Sequence, residues 1–278
     1  MNNKFKILLP TDFSVQSDYA YVMVQNLAKK IPLEVTLLHV LNVPDTVSMD
    51  ARGNIKTCGE IDPDYINTQK EIALRKLQSL NELHGNAIKT ELKLGKLTSS
   101  IIDYSEAGGF DLIAMGTKGT GGLFEKITKS ESQIIARKSA IPVLTLMCDR
   151  SDFQLETIAL VQDFRSCNNQ ELGFLNVLIK SFNTRVHLLQ ITSDPSAENM
   201  EEIEQNMETF AANNKLAKYE KHILKDTDVE NGVIHFNQMN NVDMVFIGTH
   251  GTGGWFHESA AEQLVNHMYK PVVAYRMK

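Results

Sequence analysis

A repeat constrains the fold of this chain more than any other feature of its sequence. The glycine-rich segment "MGTKGTGG" begins at Met115, and nearly the same segment, "IGTHGTGG", begins at Ile247. Three more pairs of segments recur in the same order: Lys6–Ser14 with Ile158–Ser166, Glu34–Asn42 with Arg185–Ser193, and Ile141–Leu146 with Lys270–Tyr275. Matched segments in one order indicate a tandem duplication, and so long a period makes each copy a domain rather than a solenoid repeat.

The duplication predicts two domains, which agrees with the length of 278 residues. The first is predicted over residues 1–148 and the second over residues 155–278. The polar segment Cys148–Glu156 is the predicted connection between them.

Short apolar runs alternate with longer amphipathic runs in each copy. In the first copy, helices are predicted over Ser17–Lys30, Asp62–His84, Leu97–Ala107 and Ser130–Lys138. Continuous apolar strands between helices are typical of a parallel sheet covered on both faces. Each copy is therefore predicted to be a doubly wound α/β domain. The polar insertion Ser48–Tyr65 is predicted to be a surface loop.

Composition and charge exclude several classes of function. The net charge of −6 disfavours a nucleic-acid-binding protein, which needs a basic face. No apolar run is long enough for a membrane span, and the one near the N-terminus is too short for a signal peptide. The three cysteines lack metal-site spacing and predict a reducing, cytoplasmic location.

The repeated segments together resemble the universal stress protein family in its tandem two-domain form. The resemblance rests on "ILLPTDFS", "LLHV", "DLIAMGTKGTGG" and "IPVLTL", in that order, and covers nearly the whole chain. It implies a five-stranded parallel sheet of order 3-2-1-4-5 in each half and pairing of the halves through their fifth strands. It also implies a homodimer as one option, and a family in which some members bind ATP and others do not.

The resemblance further implies where ATP, with Mg²⁺, would bind. In ATP-binding relatives, the acidic residue after the first strand contacts the adenosine end, and that residue is Asp12 here. The position of Val40 offers backbone contacts to adenine, and a glycine-rich loop holds the phosphates. The candidate nucleotide-binding residues are Pro10, Thr11, Asp12, Val40, Met115, Gly116, Gly119, Lys129, Ser130 and Glu131.

The first copy departs from the family's phosphate loop at one position. Gly116 and Gly119 fill the first two glycine positions, but Lys129 replaces the third. If that position keeps a positive φ, Lys129 costs about 1–2 kcal/mol, and Lys129→Gly is expected to tighten ATP binding. Ser130 is predicted to cap the next helix or to bind a phosphate oxygen. Glu131 suits the first turn of a helix but would repel a nearby triphosphate.

The second copy departs further and is predicted not to bind ATP. It keeps Gly248 and Gly251, but its loop is shorter and Glu258 stands at the third glycine position. Its acidic residue after the first strand is Asp163. For Asp12 and Asp163 alike, helix N-capping is an alternative to ligand contact.

Catalytic and metal sites are not predicted. His250, His257 and His267 lie in one region without the fixed spacing of a metal site, so surface histidines are the favoured interpretation. No Ser-His-Asp or Cys-His set and no complete P-loop is present, so the chain is not predicted to be an enzyme. Two functions remain: a stress protein that binds adenine nucleotide without fast turnover, or a degenerate member that acts as a dimerisation or docking scaffold.

Overall fold

The computed structural model describes residues 4–50, 52–58, 61–85, 88–117, 129–164, 170–194, 199–249 and 258–277. The strands of the first half are β1 (Phe5–Pro10), β2 (Leu33–Asn42), β3 (Val47–Met49), β4 (Ile55–Thr57), β5 (Lys89–Gly95), β6 (Leu112–Gly116) and β7 (Val143–Leu146). Its helices are α1 (Val15–Ala28), α2 (Pro63–Leu83), α3 (Leu97–Ala107) and α4 (Lys129–Lys138).

The second half repeats this alternation. Its strands are β8 (Thr157–Val161), β9 (Arg185–Thr192), β10 (Tyr219–Lys225), β11 (Met244–Thr249) and β12 (Val272–Arg276). Its helices are α5 (Gly173–Phe182), α6 (Met200–Asn213), α7 (Val229–Asn240) and α8 (Glu258–His267). Within the residues that the structure describes, no helix is both long and apolar enough to cross a membrane.

Ten strands form one sheet in the order β10-β9-β8-β11-β12-β7-β6-β1-β2-β5. Within each half, the strand pairs of this sheet are parallel, whereas β12 and β7 pair antiparallel, with Val272 opposite Thr145 and Val273 opposite Leu144. The two halves therefore meet through the segments 141–146 and 270–275. The doubly wound α/β fold predicted from the sequence is confirmed.

The strands are apolar along their whole length because helices cover both faces of the sheet. Ile7 and Leu9 join one core cluster and Leu8 joins the other, since alternate side chains of a strand point to opposite faces. The first of these clusters extends across both halves, where the rings of Phe5 and Phe174 stack with centroids 5.3 Å apart.

The insertion after β2 is ordered, so its interpretation as a loop is wrong. β3 and β4 form a small antiparallel sheet, and Val47 packs with Val43 and Ile66 in a separate apolar cluster. Its turn depends on Asp50, whose carboxylate accepts the backbone N–H of Arg52 and of Asn54, at 2.9 and 3.0 Å. An Asx-type turn of this kind stabilises a hairpin too short to show strand periodicity.

Candidate functional site

The candidate site of the first half lies where β1, β2 and β6 end. Pro10 is the last residue of β1, and Thr11 follows it with its N–H donated to the carbonyl of Leu38 at 2.8 Å. The Thr11 hydroxyl donates to Ser17 Oγ at 3.0 Å and accepts the N–H of Phe13 at 3.0 Å. Thr11 is buried and ties the end of β1 to the first turn of α1.

Asp12 positions the N-cap of α1 but is not the cap itself. Its Oδ1 accepts the backbone N–H of Ser14 at 3.0 Å and also the Ser14 hydroxyl. Ser14 is the cap, because its side chain accepts the N–H of Ser17. Asp163 lies well before α5, which begins at Gly173, so it does not cap that helix either. The capping interpretation is wrong for both aspartates.

A strained residue follows Asp12. Phe13 has φ of 63°, which is rare for an aromatic residue and is typical of functional sites. Its ring lies 4.4 Å from that of His39, and the Lys76 ammonium lies 5.1 Å from its centroid. His39 Nδ1 donates to the Thr11 carbonyl at 2.8 Å, and burial lowers the pKa of this histidine. The neutral ring holds the turn between β1 and α1 in place.

Val40 presents its backbone at this turn. Pro10 and Leu38 are the last registered pair of β1 and β2. Because backbone groups of a strand alternate in direction, the N–H and C=O of Val40 point to the same side as those of Leu38. The N–H and C=O groups of Val40 lie beyond the end of β1, beside Thr11. The Val40 side chain is buried in the core.

Gly116 is required by packing at the end of β6. A Cβ on this residue would lie 2.0 Å from the carbonyl oxygen of Gln16 and 2.8 Å from the N of Ser17. The first turn of α1 therefore rests directly on the strand, next to the buried Met115. A helix backbone, rather than a phosphate, explains this glycine in the described part of the site.

The remaining candidates lie on or before α4. Gly119 is outside the described residues. α4 begins at Lys129, so Ser130 is its second residue and the prediction that Ser130 caps this helix is wrong. Lys129 is the first residue of this helix, and the tighter ATP binding expected of Lys129→Gly stays a prediction. Glu131 lies in the first turn, where a carboxylate interacts favourably with the helix dipole.

The equivalent position of the second half is filled by side chains. Tyr275 Oη donates to Gln162 Oε1 at 2.7 Å, and both residues are buried. Burial raises the pKa of the Tyr275 hydroxyl, which stays a neutral donor. Gln190 Oε1 accepts the N–H of Phe164 at 2.6 Å, and Asp163 is itself buried. These contacts lie at the carboxyl ends of β8, β9 and β12, where the sheets of this fold class bind ligands.

Gly248 has different neighbours from its counterpart in the first half. A Cβ there would lie 2.6 Å from Sδ of Met277 and 3.2 Å from Oη of Tyr275. These are side-chain ends rather than helix backbone, since α5 begins well after β8. Of the histidines weighed as metal ligands, His250 and His257 lie outside the described residues, and His267 Nδ1 lies 2.5 Å from a carboxylate oxygen of Glu230.

Comparison with known proteins decides the family. The universal stress protein family matches residues 5–146, which is just over half of the chain. The chain belongs to the universal stress protein family. Universal stress protein MJ0531 of Methanocaldococcus jannaschii is 30% identical over 141 residues, 51% of this chain and 81% of that protein. Universal stress protein MJ0577 of the same organism is 30% identical over 151 residues, 51% of this chain and 93% of that protein. Membership supports a role in the stress response.

A solved universal stress protein from Archaeoglobus fulgidus DSM 4304 has the same fold over nearly the whole chain. The TM-score is 0.72 at 20% identity, covering 98% of this chain and 96% of that one. At this identity the likeness concerns the fold alone, and it extends the fold beyond the segment that matches the family. The family model matched over residues 5–146 confirms the family predicted from the repeated motifs.

Proposed function

We propose that the first half of this universal stress protein binds ATP with Mg²⁺ and does not turn it over fast. One observation carries the proposal: Asp12 and the Val40 peptide group both lie at the carboxyl ends of β1 and β2, which are neighbouring parallel strands. Ligands of open α/β sheets bind at these ends, near the switch in strand order.

Each group has a separate role in the proposed complex. The Asp12 carboxylate accepts hydrogen bonds from ribose hydroxyls, and the Val40 N–H and C=O bind the edge of adenine. The positive end of the α4 dipole, at its amino terminus, attracts the phosphates. Mg²⁺ is held mainly by phosphate oxygens and water, so a dedicated set of protein carboxylates is not required.

Slow turnover is proposed because the nearby candidates for a general base have other tasks. Asp12 Oδ1 accepts two hydrogen bonds from Ser14, and His39 donates its Nδ1 proton to the backbone of Thr11. A general base must lie within hydrogen-bond reach of the attacking water. Both side chains are instead used to shape the turn that holds the nucleotide.

Asp12→Asn is expected to weaken ATP binding about tenfold or more, measured by titration calorimetry. The amide keeps an oxygen that can accept the hydrogen bonds of Ser14, but it loses the charge that strengthens a bond to ribose. Asp163→Asn is the matched control and is expected to leave ATP affinity unchanged. Equal losses in both variants would contradict the choice of the first half. The ultraviolet spectrum of nucleotide released from denatured protein gives an independent check.

The filled second half favours a second candidate function. With Tyr275 and Gln162 hydrogen-bonded at the equivalent strand ends, this half would contribute a docking surface. A wild-type protein that binds no ATP would make the whole chain a docking scaffold, located in the cytoplasm. A homodimer would have to use surfaces other than the edges of β7 and β12, which pair with each other. Light scattering measures that association.

A further inference from the structure

We propose that His187, Glu220 and His222 form a binding site for a divalent transition metal, with Zn²⁺ as the best match. The three residues, here called the edge triad, lie on β9 and β10, the last two strands of the sheet. They are at the amino-terminal ends of these strands, opposite the end at which the nucleotide is proposed to bind. The metal site therefore does not depend on that proposal.

Strand register brings the edge triad together. β9 and β10 are parallel, with Glu220 directly opposite His187. His222 follows Glu220 by two residues, so its side chain lies on the same face of the sheet. A strand with the pattern Glu-x-His beside a histidine on its neighbour thus places three ligand groups at one point.

The distances within the edge triad match those between the ligands of one ion. Nδ1 of His187 lies 3.0 Å from Nε2 of His222. Oε2 of Glu220 lies 3.6 Å from the first of these atoms and 3.7 Å from the second. A tetrahedral Zn²⁺ with bonds of about 2.0–2.1 Å separates its ligand atoms by roughly 3.3 Å. A point about 2.0 Å from all three atoms exists here, so an ion fits with small side-chain rotations.

Hydrogen bonding alone does not account for this arrangement. The two imidazoles can share a proton at 3.0 Å, but the carboxylate oxygen lies beyond hydrogen-bond distance from both nitrogens. The two nitrogens and the carboxylate oxygen are electron-pair donors that converge on one point but do not all bond to one another. A cation at that point would bind all three. Two imidazoles and one carboxylate are also a ligand set that Zn²⁺ uses, with water in the fourth position.

Neighbouring side chains hold the ligands of the edge triad in position. The Phe236 ring packs edge-on against both histidine rings, with centroids 5.6 Å from His187 and 5.0 Å from His222. Arg185 donates to Oε1 of Glu220 at 3.0 Å, which turns Oε2 towards the imidazoles, as outer-shell partners of metal ligands do. The positive charge of Arg185 also limits the affinity of the edge triad for a metal ion.

Zn²⁺ titration of the full-length, chelator-treated protein tests the proposal. Calorimetry is expected to show one tight equivalent of Zn²⁺, and Co²⁺ is expected to give the visible absorption of a tetrahedral site. His222→Ala is expected to weaken that equivalent about 100-fold, since loss of a direct ligand costs at least as much as loss of an outer-shell partner. Glu220→Gln is expected to weaken it by a smaller factor. Mg²⁺ is expected not to compete, because it prefers oxygen ligands.

His235→Ala is the matched control. His235 also contacts a carboxylate, that of Asp226 at 2.6 Å, but it is not part of the edge triad. This variant is expected to keep the wild-type Zn²⁺ affinity. The proposal is overturned if wild type binds Zn²⁺ no more tightly than His222→Ala, or if His235→Ala loses as much. Circular dichroism of each variant shows that it is folded, and the partly exposed His222 is substituted first for that reason.

Discussion

Gly116→Ala is expected to lower the free energy of unfolding by about 3 kcal/mol. The added methyl group would lie 2.0 Å from the carbonyl oxygen of Gln16, which belongs to helix backbone and cannot turn away. Moving α1 would also break the contact between Thr11 and Ser17. Urea denaturation followed by circular dichroism measures the loss.

Gly248→Ala is the internal control for this prediction. Its methyl group would meet the thioether end of Met277, a flexible side chain that can adopt another rotamer. We expect a loss of about 1 kcal/mol or less. Similar losses at both glycines would contradict the assigned role of helix packing. A Gly116 variant that fails to bind ATP would report damage to the fold, so it cannot test phosphate contact.

Tyr275→Ala is expected to lower the free energy of unfolding by about 3–5 kcal/mol. The ring is buried against Phe246, with centroids 6.4 Å apart, so its removal leaves a cavity. It also leaves the side-chain oxygen Oε1 of Gln162 buried without its donor. Thermal and urea unfolding measure the change.

Tyr275→Phe separates the two causes. It keeps the ring and removes only the hydroxyl, so we expect a loss of about 1–3 kcal/mol from the unpaired Gln162. If the phenylalanine variant is as unstable as the alanine variant, ring packing is not the main contribution. If it is as stable as wild type, the hydrogen bond to Gln162 contributes nothing.

Long periodic segments were predictable from the sequence because local periodicity determines them. The predicted bounds of α3, Leu97–Ala107, are those of the structure. The predicted start of α1 at Ser17 was two residues late, because Ser14 caps the helix and Val15 is its first residue. The hairpin of β3 and β4 was missed, since three-residue strands show no periodicity and its turn depends on side-chain contacts of Asp50.

Site residues were predictable from the sequence only where they belong to one short motif of neighbouring residues. The motif after β1 pointed to Asp12, and the structure adds the strained Phe13 and the supporting His39. The packing role of Gly116 could not be predicted from the sequence, because it depends on contact with the backbone of a distant segment. The edge triad was not predicted either, since the register of β9 and β10 brings its members together.

The antiparallel pairing of β7 and β12 bears on the stoichiometry of the proposed nucleotide, because it joins the two halves within one chain. In a symmetric dimer of single units, two identical sites form and the assembly dissociates on dilution. Here the partner is part of the same chain, at a high effective concentration that dilution does not change. With the position in the second half filled by Tyr275, the proposed nucleotide would bind once per chain. Its titration curve would be hyperbolic, with no coupling between equivalent sites and no dependence on protein concentration.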